Sequence, residues 1–160
     1  MAIIAAALIA IWQARKQQDN ALAVHREESR HARREAAKSL LVICRNCANA
    51  AAHFTGQLST RDAVHAAATG ETHFDYEELT ALRDAAASVQ LHQLPDVVIG
   101  PAMALAATIR QFRQTVDIAF REHRRMDGDQ FTKLFRTLTE MTESLRATTG
   151  DVQQQVNQLN

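Results

Sequence analysis

Apolar residues recur along this chain every three or four positions, which predicts amphipathic helices. Ala36, Leu40, Ile43, Cys47, Ala50 and Phe54 form one such stripe, with Leu41, Cys44, Ala48 and Ala51 on the stripe beside it. A face that wide belongs to a helix packed inside a bundle. Leu79, Leu82, Ala86 and Val89 predict a shorter helix. Ala102, Leu105, Ile109, Phe112, Val116, Ala119 and His123 keep a seven-residue repeat, and Phe131, Leu134, Leu138, Met141 and Leu145 mark a last helix. Val152, Val156 and Leu159 continue a weak stripe in a Gln/Asn-rich tail, which is expected to fray.

Punctuation between these stripes is sparse. No Gly or Pro occurs from Gln13 to Phe54, so one long helix is expected there, closed by Gly56 as a C′ residue. Ser59 or Thr60 should cap a short helix through Ala68, ended by Gly70. Asp75 should cap the next, with Glu77 and Glu78 in its first turn, where carboxylates suit the helix dipole. That helix is expected to stop near Leu94-Pro95. Pro101 suits the first turn of the long helix that follows, although Val97–Ile99 could begin it earlier. Met126-Asp127-Gly128-Asp129 reads as a tight turn with Asp129 as the new N-cap. Gly150-Asp151 could break the last helix.

The predicted fold is all-α: a long N-terminal helix running into an antiparallel four-helix bundle. Its expected divisions are an apolar anchor at 1–12, a polar helical stalk at 13–35, the bundle at 36–149 and a polar tail at 150–160.

The anchor rests on Met1–Trp12, a run without a charged side chain. As helix it covers about 18 Å, short of the roughly 30 Å hydrocarbon core of a bilayer. Three readings compete: a membrane anchor, possible only if the span is incomplete or the bilayer locally thin; the apolar end of a helix buried in a partner; and a signal peptide. The last lacks a preceding Lys or Arg and a clear cleavage site. The anchor reading takes Ile3, Ile4, Leu8, Ile9 and Trp12 as membrane-facing, with Arg15 and Lys16 at the interface. The following Arg26, Arg30, Arg33, Arg34 and Lys38 would then place the C-terminal domain in the cytoplasm by the positive-inside rule. Glu27, Glu28 and Glu35 are interspersed, so the same cations could simply solvate a helix.

Composition supports helix and narrows function. Alanine is abundant, and β-branched runs are nearly absent outside Val97–Ile99. Five Gly and two Pro are too few for a many-stranded sandwich, and two Cys too few for a disulfide scaffold. Eighteen Lys and Arg balance eighteen Asp and Glu, which argues against a nucleic-acid binder relying on overall charge. The charge is uneven, however: residues 1–60 carry eight cations and four anions, residues 61–100 two and seven, and residues 101–160 eight and seven.

Cys44-Arg45-Asn46-Cys47 has Cys-x-x-Cys spacing, but it sits in mid-helix rather than at a helix start, where the dipole would lower a thiol pKa. Packed, reduced thiols are the favoured reading. A metal site would need His53 and a fourth group. Glu28-x-x-His31 and Asp62-x-x-His65 have the spacing used by di-iron bundles, without the two further Glu. His123-Arg124-Arg125 suits a helix C-terminus, or could meet phosphate or lipid. No phosphate-binding loop, dinucleotide turn or nucleophile elbow is present. The expectation is a protein with no catalytic residues, cofactor, metal or small-molecule substrate.

The leading functional reading is a non-enzymatic, single-pass membrane protein whose bundle mediates protein–protein interaction or self-association at the inner face of a membrane. Its expected partners are the lipid bilayer and either a second copy or another helical protein. A short anchor followed by a long helix resembles the inner-membrane spanin subunits of phages, in layout and not in any motif. That resemblance implies an envelope or lysis role facing away from the cytoplasm. A soluble metal- or redox-binding bundle using Cys44, Cys47 and His53 is the third reading.

Overall fold

The computed structural model describes the backbone of residues 2–159 and the side chains of Gln13 and residues 15–159. The chain is 86% helix, and no strand occurs among the described residues. Five α-helices follow in order: α1 (Ala2–Gln57), α2 (Arg61–Thr69), α3 (Tyr76–Ala87), α4 (Asp96–Glu122) and α5 (Gly128–Gln158). A single 3-10 turn, Leu91–Gln93, lies between α3 and α4.

Local chemistry explains most of the boundaries. Thr60 caps α2, its hydroxyl oxygen accepting from the Ala63 amide at 3.2 Å. Gly70 ends α2 with φ of 78°, a left-handed conformation that favours glycine. The Asp75 carboxylate accepts from the Glu78 amide at 2.8 Å and starts α3.

At α5 the cap is Asp127 rather than the expected Asp129. The Asp127 carboxylate takes the Gln130 amide at 2.8 Å, and the Gln130 side chain takes the Asp127 amide at 2.9 Å. This reciprocal box satisfies two helix-end donors together. Asp129 falls in the first turn instead, where its charge suits the dipole.

Two expected breaks, at Gly56 and Gly150, are absent, and α4 takes the earlier of its two expected starts. α1 passes through Gly56 to Gln57, because Gly56 does not take a positive φ there. α4 begins at Asp96, before Pro101, so Pro101 lies inside the helix. It removes the donor that would have reached the Val97 carbonyl, at a residue that stands exposed to solvent. α5 passes through Gly150 and brings Val152 and Val156 into the core, so residues 150–158 are packed helix and not a fraying tail. α3, by contrast, ends sooner than its apolar pattern suggested, and Val89 packs from beyond it, half-buried.

The core runs between the helices. α1 and α4 each pack along α5, α3 packs on α4 and α1, and α2 packs on α4. Phe54, Phe112, Leu40, Leu58, Leu79, Leu105, Ile109, Leu138 and Leu145 are fully buried. The Phe74 ring bridges α1 and α4, with centroids 4.9 Å from Phe54 and 5.0 Å from Phe120.

Helix directions follow from side-chain pairs. Arg45 bonds to Gln153 and Thr55 to Thr142, so a later residue on α1 meets an earlier one on α5. Tyr76 bonds to Asp117 and the later Thr80 to the earlier Arg113, which sets α3 and α4 in opposite directions.

Burial on α1 begins at Ala37. Every residue from Arg15 to Glu35 is exposed, Leu22 and Val24 among them. This stretch, about 30 Å long, extends past the bundle as an arm.

The membrane-spanning expectation is corrected. Among the described residues no helix is long and apolar enough to cross a membrane. α1 has the length, but its apolar run gives way to polar residues from Gln13 onward. Single-pass localisation, the cytoplasmic placement that depended on it, and the spanin-like layout therefore lose their support. The side chains of Ile3, Ile4, Leu8, Ile9 and Trp12 lie outside the described residues. Arg15 and Lys16 are exposed on the arm.

Candidate interaction surfaces

The two cysteines are free and buried in α1. Burial pushes the Cys44 thiol up from 9.0 to about 11. Burial, then the neighbouring Cys44, pushes Cys47 up to about 12. A thiol held protonated in this way is a poor nucleophile and a poor metal ligand at neutral pH. Against Ellman's reagent at pH 8, both thiols are expected to stay silent in the folded protein and to react together once denaturant is added. Fast reaction of the native protein would contradict this packing. The same shifts set a direction for stability. An unfolded thiol ionises near 9.0, whereas the folded ones keep their protons until about 11 and 12. The folded state binds more protons in that window, so its stability is complete below about pH 9 and falls as pH rises towards 12.

His53, the third group of the redox or metal reading, is exposed. Its ring faces Phe54, at 5.9 Å between centroids. Glu28 and His31 are exposed on the arm, ahead of Ala37, where burial on α1 begins. Among the described residues no three His, Cys, Asp or Glu side chains converge as a metal site would require.

Sequence reasoning underrated one histidine. His123 is buried, 8% exposed, with Nδ1 placed 2.7 Å from the Phe120 carbonyl oxygen. Its ring meets His65 of α2 edge-on, 5.0 Å between centroids, and His65 in turn meets Phe131 at 5.6 Å. Arg61 completes the cluster, its guanidinium 5.3 Å from the Phe131 ring centroid and its Nε donating to His65 Nε2 at 3.3 Å. These contacts tie α2 to the start of α5 and the end of α4. The position of His123 on the α4 heptad was the available signal.

A concavity lies between α3 and α4, an open groove of about 710 Å³. Arg83 and Ala87 of α3 line one wall; Met103, Ala106, Arg110 and Arg113 of α4 line the other. Arg113 is firmly placed. Its guanidinium lies 5.0 Å from the Tyr76 ring centroid, and its Nε donates to the Thr80 hydroxyl at 3.2 Å. The Tyr76 hydroxyl donates to Asp117 at 3.1 Å. Burial first, and then that carboxylate, push the Tyr76 phenol above its ordinary value. A second, smaller hollow of about 380 Å³ runs between α4 and α5 beside Ile118, Met126 and Leu134. The chemistry on offer is therefore apolar packing and charge pairing along helix faces.

No protein-family model, curated protein sequence or solved structure matches this chain.

Proposed function

We propose that this protein is a non-enzymatic helical interaction module, with a packed head and a projecting helical arm that associates with the arms of further copies. The observation that carries this reading is the arm itself. Residues 15–35 of α1 are helical and exposed on every side, with local support from the i, i+3 pairs Glu27–Arg30 at 3.7 Å and Glu35–Lys38 at 2.8 Å. Exposed pairs of this kind contribute little, and a helix without packing is marginal in water. The apolar run Met1–Trp12 heads the same helix in the sequence. Covering that run with equivalent runs from other copies would remove it from water and hold the arms together.

The head fits the same role. The part of α1 beyond Ala37, with α3, α4 and α5, reads best as an antiparallel four-helix bundle. The opposed directions of α1 with α5 and of α3 with α4 support that arrangement. Titratable side chains are mostly exposed on its outer faces, as suits a scaffold.

Light scattering on the full chain tests the proposal. The wild type is expected to run as an oligomer. Leu8→Asp combined with Ile9→Asp is expected to reduce its mass, with the helical spectrum of the head unchanged. A wild-type monomer, or an oligomer indifferent to both substitutions, would overturn the reading.

A further inference from the structure

We propose that the α3–α4 groove is one half of a twofold interface, in which two copies of this chain each lay the outer ridge of α3 into the groove of the other. This surface is separate from the arm and does not depend on it.

Shape selects the class of occupant. The groove lining on α4 steps through Met103, Ala106, Arg110, Arg113 and Asp117, at helical spacing. Fourteen residues of rise make it about 21 Å long. It is open along that length, whereas a small-molecule site encloses most of its ligand. A long, open trough with Ala87, Ala106 and Ala107 in its lining matches a helix, because small side chains let two axes approach within about 8–10 Å.

Charge selects which helix. Arg83 is already paired with Asp84 at 2.5 Å. Arg110 and Arg113 have no ion-pair partner among the described residues. Asp117, the carboxylate on the same wall, is engaged by the Tyr76 hydroxyl and lies 3.7 Å from Arg121. The groove thus presents two unmatched guanidinium groups beside an apolar lining. The outer ridge of α3 presents the complement: Glu77, Ala81, Asp84 and Ser88 fall at i, i+4, i+7 and i+11, all exposed. Glu77 and its exposed neighbour Glu78 also lack an ion-pair partner among the described residues.

These groups do not satisfy one another within one chain, since neither Glu77 nor Glu78 lines the groove. The Tyr76 end of α3 lies by Arg113 and Asp117, and its Ala87 end lies further towards Met103. A twofold axis crossing α3 reverses the ends. Passing near Thr80, which lies beside Arg113, it carries Glu77 of one copy to the level of Arg110 of the other, and the reverse pair forms at the same time. One patch holding both a groove and a ridge of opposite charge is what a self-complementary interface requires.

Sedimentation velocity of the full chain over graded protein and salt concentrations tests this, using Arg110→Glu and Glu77→Arg. Both sites are exposed, so circular dichroism should be unchanged. Each variant alone places like charges at both contacts and is expected to weaken association at least tenfold. Mixing the two variants leaves every contact with one cation and one anion, so the mixture is expected to associate as the wild type does. The wild-type association should also weaken as salt rises. An oligomer that ignores both charge reversals but is lost with Leu8→Asp and Ile9→Asp would overturn this interface and leave the arm reading standing. A wild-type monomer, or single variants not rescued by mixing, would equally overturn it.

Discussion

Phe112→Ala is expected to lower the unfolding free energy by about 3–5 kcal/mol, a large part of the 5–15 kcal/mol typical of a domain. Phe112 is 0% exposed and lies on α4, the helix that packs against each of the other four. Removing the ring deletes its transfer free energy and leaves a cavity that the surrounding helices can only partly close. The transition midpoint in urea, followed by circular dichroism, should drop with the slope unchanged. In a chain of this size each kcal/mol corresponds to about 2–4 °C in melting temperature. A loss below about 1 kcal/mol would mean that α4 is not the centre of the packing.

The stripe that contains Phe112 was legible because a seven-residue repeat allows only one buried face on a straight helix. Ala102, Leu105, Ile109, Val116 and Ala119 are all buried with it. α1 was legible in type but not in detail. Its apolar face is wide enough that the packing settles on Ala37 and Cys44 rather than on Ala36 and Ile43, which stay half-buried. The groove was not legible at all. Arg83 and Arg110 come together only because α3 lies antiparallel on α4, and single-chain periodicity says nothing about which helices pair. The weak signal was a second stripe on α4, small and basic, beside the buried one.

The membrane reading failed for a related reason. Composition identified an apolar run correctly, but the flanking cations that suggested an interface are equally what an exposed helical arm needs for solvation. Length was the more decisive quantity. A dozen apolar residues fall short of a bilayer, and no described helix makes up the difference. Apolar character alone does not specify what such a run packs against.

Val152→Asp addresses the segment where sequence and structure differ most. If residues 150–160 were a frayed tail, the substitution would lie within about 0.5 kcal/mol of neutral, as surface changes usually do. In the structure Val152 is 0% exposed and Val156 is 6% exposed, one turn further along α5. A carboxylate there must be desolvated among apolar neighbours, and a buried unpaired charge costs at least about 3 kcal/mol. The expected result is a stability loss comparable to that of Phe112→Ala, measured by the same urea transition. Gly150→Ala should act in the opposite direction. Gly150 has no positive φ, and a Cβ added there meets nothing within 4 Å. Alanine in a helix interior is favoured over glycine by about 0.5–1 kcal/mol, so this variant should be more stable than the wild type. The pair separates two explanations of any single result. Helix continuity through Gly150 predicts opposite signs at the two positions, whereas a frayed segment predicts almost no change at either. Glycine at 150 weakens α5 by less than the burial of Val152 and Val156 strengthens it, and that inequality keeps the helix running to its end beside α1.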